Sequence, residues 1–130
     1  MDGEIWTGKG KEINNIGYIT FEGEYINGKK NGYAKEYDYN YKLIFEGKYI
    51  NGLKSEYINE YDYNEKLKFE GEYLNDEKNG NAKEYNSIGE LVFEGKYIKG
   101  EKKEGKEYYD NELIFEGEYL NNYRIKGKEY

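Results

Sequence analysis

Apolar and polar residues alternate along short runs of this chain, and the runs recur. Phe21, Gly23 and Tyr25 alternate with Glu22, Glu24 and Ile26, a period of two that predicts a half-buried β-strand. The same phrase, Phe-Glu-Gly-x-Tyr, returns from Phe45, Phe69, Phe93 and Phe115, at spacings of 24, 24, 24 and 22 residues. A fixed period of this kind marks one supersecondary unit that is copied and stacked. A turn signal follows each copy. Asn27-Gly28 and Asn51-Gly52 are the strongest, and Asn75-Asp76, Lys99-Gly100 and Asn121-Asn122 hold the same place. A second strand comes next, clearest at Gly32-Tyr33-Ala34-Lys35-Glu36-Tyr37. A polar turn such as Asp38-Tyr39-Asn40 leads to the next copy. Each repeat therefore reads as one β-hairpin, and consecutive hairpins are expected to pair edge to edge. The chain divides into a half repeat with its connection at 1–20, then repeats at 21–44, 45–68, 69–92, 93–114 and 115–130.

Glycine inside a strand costs roughly 0.5–1 kcal/mol of backbone entropy, so its recurrence needs a reason. Gly23, Gly47, Gly71, Gly95 and Gly117 each sit between a Phe and a Tyr on one face. A ring on one strand can lie flat over a glycine on its neighbour. One face thus becomes a ribbon of rings, and the other carries Glu22, Glu24, Ile26 and their equivalents. Strict alternation puts Glu36 on the ring face and Tyr37 on the other; a bulge near Lys35 would reverse the two. The copies also differ in their turns. Ser55-Glu56 replaces the Asn-Gly of Asn31-Gly32 and Asn79-Gly80, the last two copies are one residue shorter before Gly105 and Gly127, and the connection after Tyr108 is shorter by one.

Composition narrows the picture. At 130 residues the length suits one domain, but only 36% of residues are hydrophobic, too few to fill a thick interior. Disorder is countered by 18 periodic tyrosines and by interleaved acid and base. With no proline, nothing bars the interior of a sheet. There is no cysteine for a disulfide framework and no histidine, the commonest general base and transition-metal ligand. A net charge of −7 disfavours nucleic acid and anionic lipid. Met1-Asp2-Gly3-Glu4 is no signal peptide and no apolar run is long enough to span a membrane, so a soluble, reducing, cytoplasmic setting is expected.

At Phe21, Gly23, Tyr25, Asn27, Gly28, Gly32 and Ala34, and at their copies, the chain resembles the MORN repeat family. That family's pattern is aromatic-x-Gly, an aromatic, Asn-Gly, then Gly-x-Gly. Gly8-Lys9-Gly10-Lys11-Glu12 matches its second half, whereas Ala34 and Ala82 depart from the final Gly. The resemblance covers nearly the whole chain. It implies an all-β fold: an elongated, single-layer, twisted antiparallel sheet of stacked β-hairpins with an aromatic-lined groove. It also implies scaffolding, docking of other proteins, dimerisation or membrane association, without catalysis. Met1-Asp2-Gly3-Glu4 aligns with the turn Ile26-Asn27-Gly28-Lys29, so the chain is expected to be a segment of a longer array. The alternative is a short protein that dimerises through its open edges.

The candidate chemistry is thin. Glu22, Glu46, Glu70, Glu94 and Glu116, with Glu36, Glu60, Glu84, Glu107 and Glu129, invite a carboxylate-pair reading. Equivalent residues lie two strands apart, roughly 10 Å, and every copy has nearly the same surroundings. Cross-strand Lys–Glu pairs on a solvated face explain them better. No loop matches an EF-hand. Gly8-Lys9-Gly10-Lys11 lacks the rest of a phosphate loop. Ser55, Ser87, Thr7 and Thr20 have no histidine to activate them. No enzyme, cofactor or metal is expected. Trp6 is expected to pack on the first hairpin, and Arg124 to be an exposed turn residue.

The expected function is a protein-interaction or scaffolding module whose partner, a protein, a peptide or a second copy, meets an aromatic groove. The groove candidates are Phe21, Tyr25, Phe45, Tyr49, Phe69, Tyr73, Phe93, Tyr97, Phe115 and Tyr119. The rival reading is a membrane tether that binds phospholipid headgroups.

Overall fold

The computed structural model describes residues 6–130, so the Met1-Asp2-Gly3-Glu4 turn expected from the sequence lies outside the described residues. The remainder is one antiparallel sheet of eleven strands, ordered in space as in sequence. The strands are β1 (Gly8–Ile13), β2 (Ile19–Ile26), β3 (Lys29–Tyr37), β4 (Leu43–Ile50), β5 (Leu53–Tyr61) and β6 (Leu67–Leu74). They continue with β7 (Glu77–Tyr85), β8 (Leu91–Ile98), β9 (Glu101–Tyr109), β10 (Glu112–Leu120) and β11 (Tyr123–Glu129). The all-β, hairpin-built single sheet is as the repeat predicts. No helix of the described residues is long and apolar enough to cross a membrane.

Turn chemistry sets the connections. Asn27 and Gly28 have φ of 51° and 80°, and Asn51 and Gly52 have 51° and 86°, the left-handed pair that a two-residue hairpin turn requires. The links between hairpins are Asx turns. Asp38 Oδ1 accepts from the N–H groups of Asn40 and Lys42 at 2.8 and 3.0 Å. Asp62 and Asn86 do the same one and two repeats on. After β9 this link is replaced by a tight turn at Asp110 and Asn111, with φ of 52° and 64°, which shortens the last spacing.

The register places the bulges. Gly23 pairs with Ala34 and Tyr25 with Lys30, so Asn31, Gly32 and Tyr33 together face Glu24. Gly32 and Gly80 hold φ of 112° and 116° there, beyond the reach of ordinary side chains. In the β8–β9 hairpin Gly95 pairs with Gly105 and Tyr97 with Lys102, so the bulge is one residue smaller. That accounts for the shorter copies. Lys35 lies in regular ladder, which corrects the expected alternative of a bulge beside it. Glu36 pairs with both Phe21 and Phe45 and therefore lies on the ring face, as strict alternation requires. Tyr37 falls on the other face, where its hydroxyl donates to Glu22 at 2.7 Å.

One row, small in every strand except β5, where Ile58 stands, runs across the sheet. Gly10, Gly23, Ala34, Gly47, Ile58, Gly71, Ala82, Gly95, Gly105, Gly117 and Gly127 are successive register partners. The rings lean over this row. A Cβ built on Gly105 would stand 2.7 Å from Phe93 Cζ, and one on Gly10 would stand 2.9 Å from Tyr25 Cε1. In the earlier hairpins Ala34, Ile58 and Ala82 fill the space that the facing glycine leaves open.

Candidate functional site: the two faces of the sheet

The ring face repeats one arrangement of Phe, Tyr, a cation and Glu. Phe21 meets Tyr25 of its own strand edge to face at 5.8 Å, and Tyr49 of the next hairpin at 5.7 Å. Phe69 meets Tyr73 and Tyr97 in the same way, and Phe93 meets Tyr97 and Tyr119. Such T-shaped pairs suit the ring quadrupole. A cation then covers each phenylalanine. The ammonium groups of Lys30, Lys54, Lys78 and Lys102 stand 4.1, 4.2, 4.3 and 4.4 Å from the centroids of Phe21, Phe45, Phe69 and Phe93. The Arg124 guanidinium completes the series at 4.5 Å over Phe115. Arg124 is thus the fifth member of a periodic row, which corrects the expectation of an ordinary turn residue.

The glutamates close each unit. Tyr25 donates its hydroxyl to Glu12 at 2.9 Å. Tyr49, Tyr73, Tyr97 and Tyr119 donate to Glu36, Glu60, Glu84 and Glu107. Lys30, Lys54 and Lys102 approach Glu12, Glu36 and Glu84 at 3.7, 3.8 and 3.9 Å, and Arg124 reaches Glu107 at 2.6 Å. Burial, reinforced by the carboxylate beside it, pushes the Tyr25 hydroxyl up to about 12. The same causes raise Tyr49, Tyr73 and Tyr119 further. The Arg124 hydrogen bond holds the Glu107 carboxyl below the usual range.

The groove candidates from the sequence are brought together, but they are not open to water. Phe21, Phe45, Phe69, Phe93 and Phe115 are 1–3% exposed, Tyr49, Tyr73, Tyr97 and Tyr119 are 4–8% exposed, and Tyr25 is half-buried. This corrects the picture of a solvated aromatic ribbon. Among the described residues no second layer packs on this face; it is sealed by Lys stems that lie over the rings and by the Glu carboxylates beside them, with the charged ends reaching water. Sealing each phenylalanine in this way contributes about 1.5–3 kcal/mol. Trp6 packs on Gly8 and Gly10, as expected of the first hairpin.

The opposite face is polar and ordered. Lys11, Glu22, Lys35, Glu46, Asn59, Glu70, Lys83, Glu94, Lys106, Glu116 and Lys128 are successive register partners. Their charges alternate from strand to strand, with Asn59 the one neutral step. The tyrosine hydroxyls of Tyr37, Tyr61 and Tyr85 donate to Glu22, Glu46 and Glu70 of this ladder. The bond from Tyr61 is the main reason the Glu46 carboxyl titrates below its usual range. Beside the ladder lie shallow troughs floored by bare backbone of the small-residue row. One of about 660 Å³ is walled by Lys9, Lys11, Glu22, Glu24, Tyr33 and Lys35. Another of about 690 Å³ lies between Tyr57, Lys83, Glu94, Lys96 and Glu104.

Along the turn margin of this same face runs a second apolar series. Ile26, Ile50, Leu74, Ile98 and Leu120 directly follow the repeat tyrosines and are 41–60% exposed. The sequence placed Ile26 and its equivalents on this face without giving them a part, and the cation row was missed. Both were signalled by fixed offsets, one and five residues after each tyrosine. No family model matches the chain, and no curated protein matches it.

Proposed function

We propose that the chain is a non-catalytic protein-interaction or scaffolding module, a hairpin array of MORN type whose partners meet the face opposite the rings. The observation that carries this reading is the exposed aliphatic row Ile26, Ile50, Leu74, Ile98 and Leu120. A solvated position has no packing reason to be aliphatic in every repeat. A row with a pitch of roughly 10 Å, two strand spacings, suits a partner that touches several hairpins at once. The ring face supplies stiffness, because its aromatic side chains are spent on one another.

The test is a variant with Ile50→Ser, Leu74→Ser and Ile98→Ser. Its strand circular dichroism should match the parent, while proteins retained by the immobilised parent should be lost. Retention of the same proteins by the folded variant would refute the reading. Sedimentation of the parent with anionic vesicles, reversed by salt, would favour the membrane-tether alternative; the net charge of −7 argues against it.

A further inference from the structure

Neighbouring hairpins are tied at their turns by one of two hydrogen-bond latches. In the first, a strand side chain accepts from the next turn. Asn31 Oδ1 takes the N–H of Asn51 at 2.9 Å, and Asn79 Oδ1 takes that of Lys99 at 3.0 Å. Thr7 Oγ1 plays the same part for Asn27 at 3.0 Å. In the second latch the direction reverses. Asp76 Oδ1, on the turn, accepts from the N–H of Lys54 at 2.6 Å, and Asn122 Oδ1 accepts from that of Lys102 at 2.9 Å.

The residues at the two positions are matched. Where the strand carries Thr7, Asn31 or Asn79, the second turn residue beside it is Gly28, Gly52 or Gly100. Where the strand carries Ser55 or Lys103, the turn carries Asp76 or Asn122. Glycine has no acceptor to offer, so the strand must supply one. The Ser55 hydroxyl is turned to the Leu53 carbonyl at 3.5 Å and makes no bond to the turn, and a lysine has only donors, so there the turn supplies it. Beside the backbone bonds Gly28 to Trp6, Gly52 to Lys30, Asp76 to Lys54 and Gly100 to Lys78, which do not change with the latch, the five junctions between turn and preceding strand each hold one side-chain acceptor, never two and never none.

We propose that these positions form a matching code that decides which hairpin can lie beside which. The flank of each hairpin is then a selective surface. A strand with Asn at its bulge takes a hairpin whose turn ends in Gly, and a strand without an acceptor takes a hairpin whose turn ends in Asp or Asn. A mismatch leaves an interface N–H without a partner, or sets two acceptors against each other.

The test is a double-mutant cycle on Asn79→Ala and Gly100→Asp, read by urea unfolding and by amide hydrogen exchange. Asn79→Ala alone should raise the unfolding constant about five-fold, the weight of one hydrogen bond, and free the Lys99 amide to exchange. Adding Gly100→Asp should bring the constant back to within about two-fold of the parent and slow the Lys78 amide. Single effects that simply multiply would overturn the proposal. So would a Lys78 amide slowed equally by Gly100→Asp when Asn79 is present, since the latches would then be independent. The unaltered protein offers a separate check. The amides of Lys54 and Lys102 should exchange more slowly than those of Lys30 and Lys78, and equal protection at the four would also overturn it.

Discussion

Raising the pH above 10 should dismantle this sheet through its tyrosines. In an unfolded chain a tyrosine loses its proton near pH 10. Tyr49, Tyr73 and Tyr119 are 5, 8 and 4% exposed, and burial plus a neighbouring glutamate raises the pKa of each well above that value. A pKa raised by folding means that the folded state holds its proton longer. The stabilisation is complete below pH 10 and is lost as the pH rises toward the folded value. Each such group contributes a slope of about 1.4 kcal/mol per pH unit, so the three together remove about 4 kcal/mol per unit. A domain of ordinary stability, about 5–15 kcal/mol, then reaches its midpoint roughly one to four units above pH 10. The assay follows tyrosinate absorbance and strand circular dichroism on the same sample. Tyr49, Tyr73 and Tyr119 should ionise in a steep step that coincides with loss of strand signal. If all 18 tyrosines ionised in one smooth phase near pH 10 while the strand signal held, the sealed ring face would be wrong.

Three further outcomes follow from the geometry. Asn59→Lys fills the neutral step between Glu46 and Glu70 and should stabilise by about 0.2–1 kcal/mol per new cross-strand pair; thermal melts should show the gain shrinking with salt. Gly105→Ala puts a methyl 2.7 Å from the Phe93 ring and should destabilise by about 1–3 kcal/mol in urea titration, whereas Gly52→Ala meets no neighbouring atom and is costly only through its φ of 86°. Arg124→Gln removes the cation over Phe115 and its bond to Glu107, and should lower the thermal unfolding midpoint, with Arg124→Lys recovering part of the loss.

The hairpins were legible because their signals are local. Alternation over Phe21 to Tyr25 and the dipeptide at Asn27-Gly28 each report on a few neighbouring residues. The bulge was not legible, because extra residues near Gly32 read alike whether they lengthen the turn or kink the strand. The sealing of the rings was missed for a different reason. Phe21 is covered by Lys30 and by Tyr49, which comes 28 residues later along the sequence. No local pattern announces that contact. For Phe21, Phe69 and Phe93 part of the cover comes from the tyrosine of the next repeat, whereas Phe115 is covered by Tyr119 and Arg124 of its own. The charge ladder was foreseen as Lys–Glu pairing in general, but its unbroken order depends on a register that the sequence leaves open.

The way Phe21 is closed by the following hairpin bears on how such a chain can grow. The last hairpin's Phe115 is nonetheless 3% exposed, closed by its own Tyr119 and Arg124, so every copy brings the means to seal its own ring and the next hairpin's tyrosine adds to the cover. Duplication of a 24-residue stretch therefore adds one sealed ring wherever it falls. What duplication cannot do freely is choose its neighbours. A copy that ends in the Asn79 type of strand must be followed by a turn such as Lys99-Gly100, and one that ends in the Ser55 type by a turn such as Asn75-Asp76. Lineages that lengthen this array are thus expected to copy a strand together with the turn that follows it, so that the heritable module straddles two hairpins and is out of phase with the folded one.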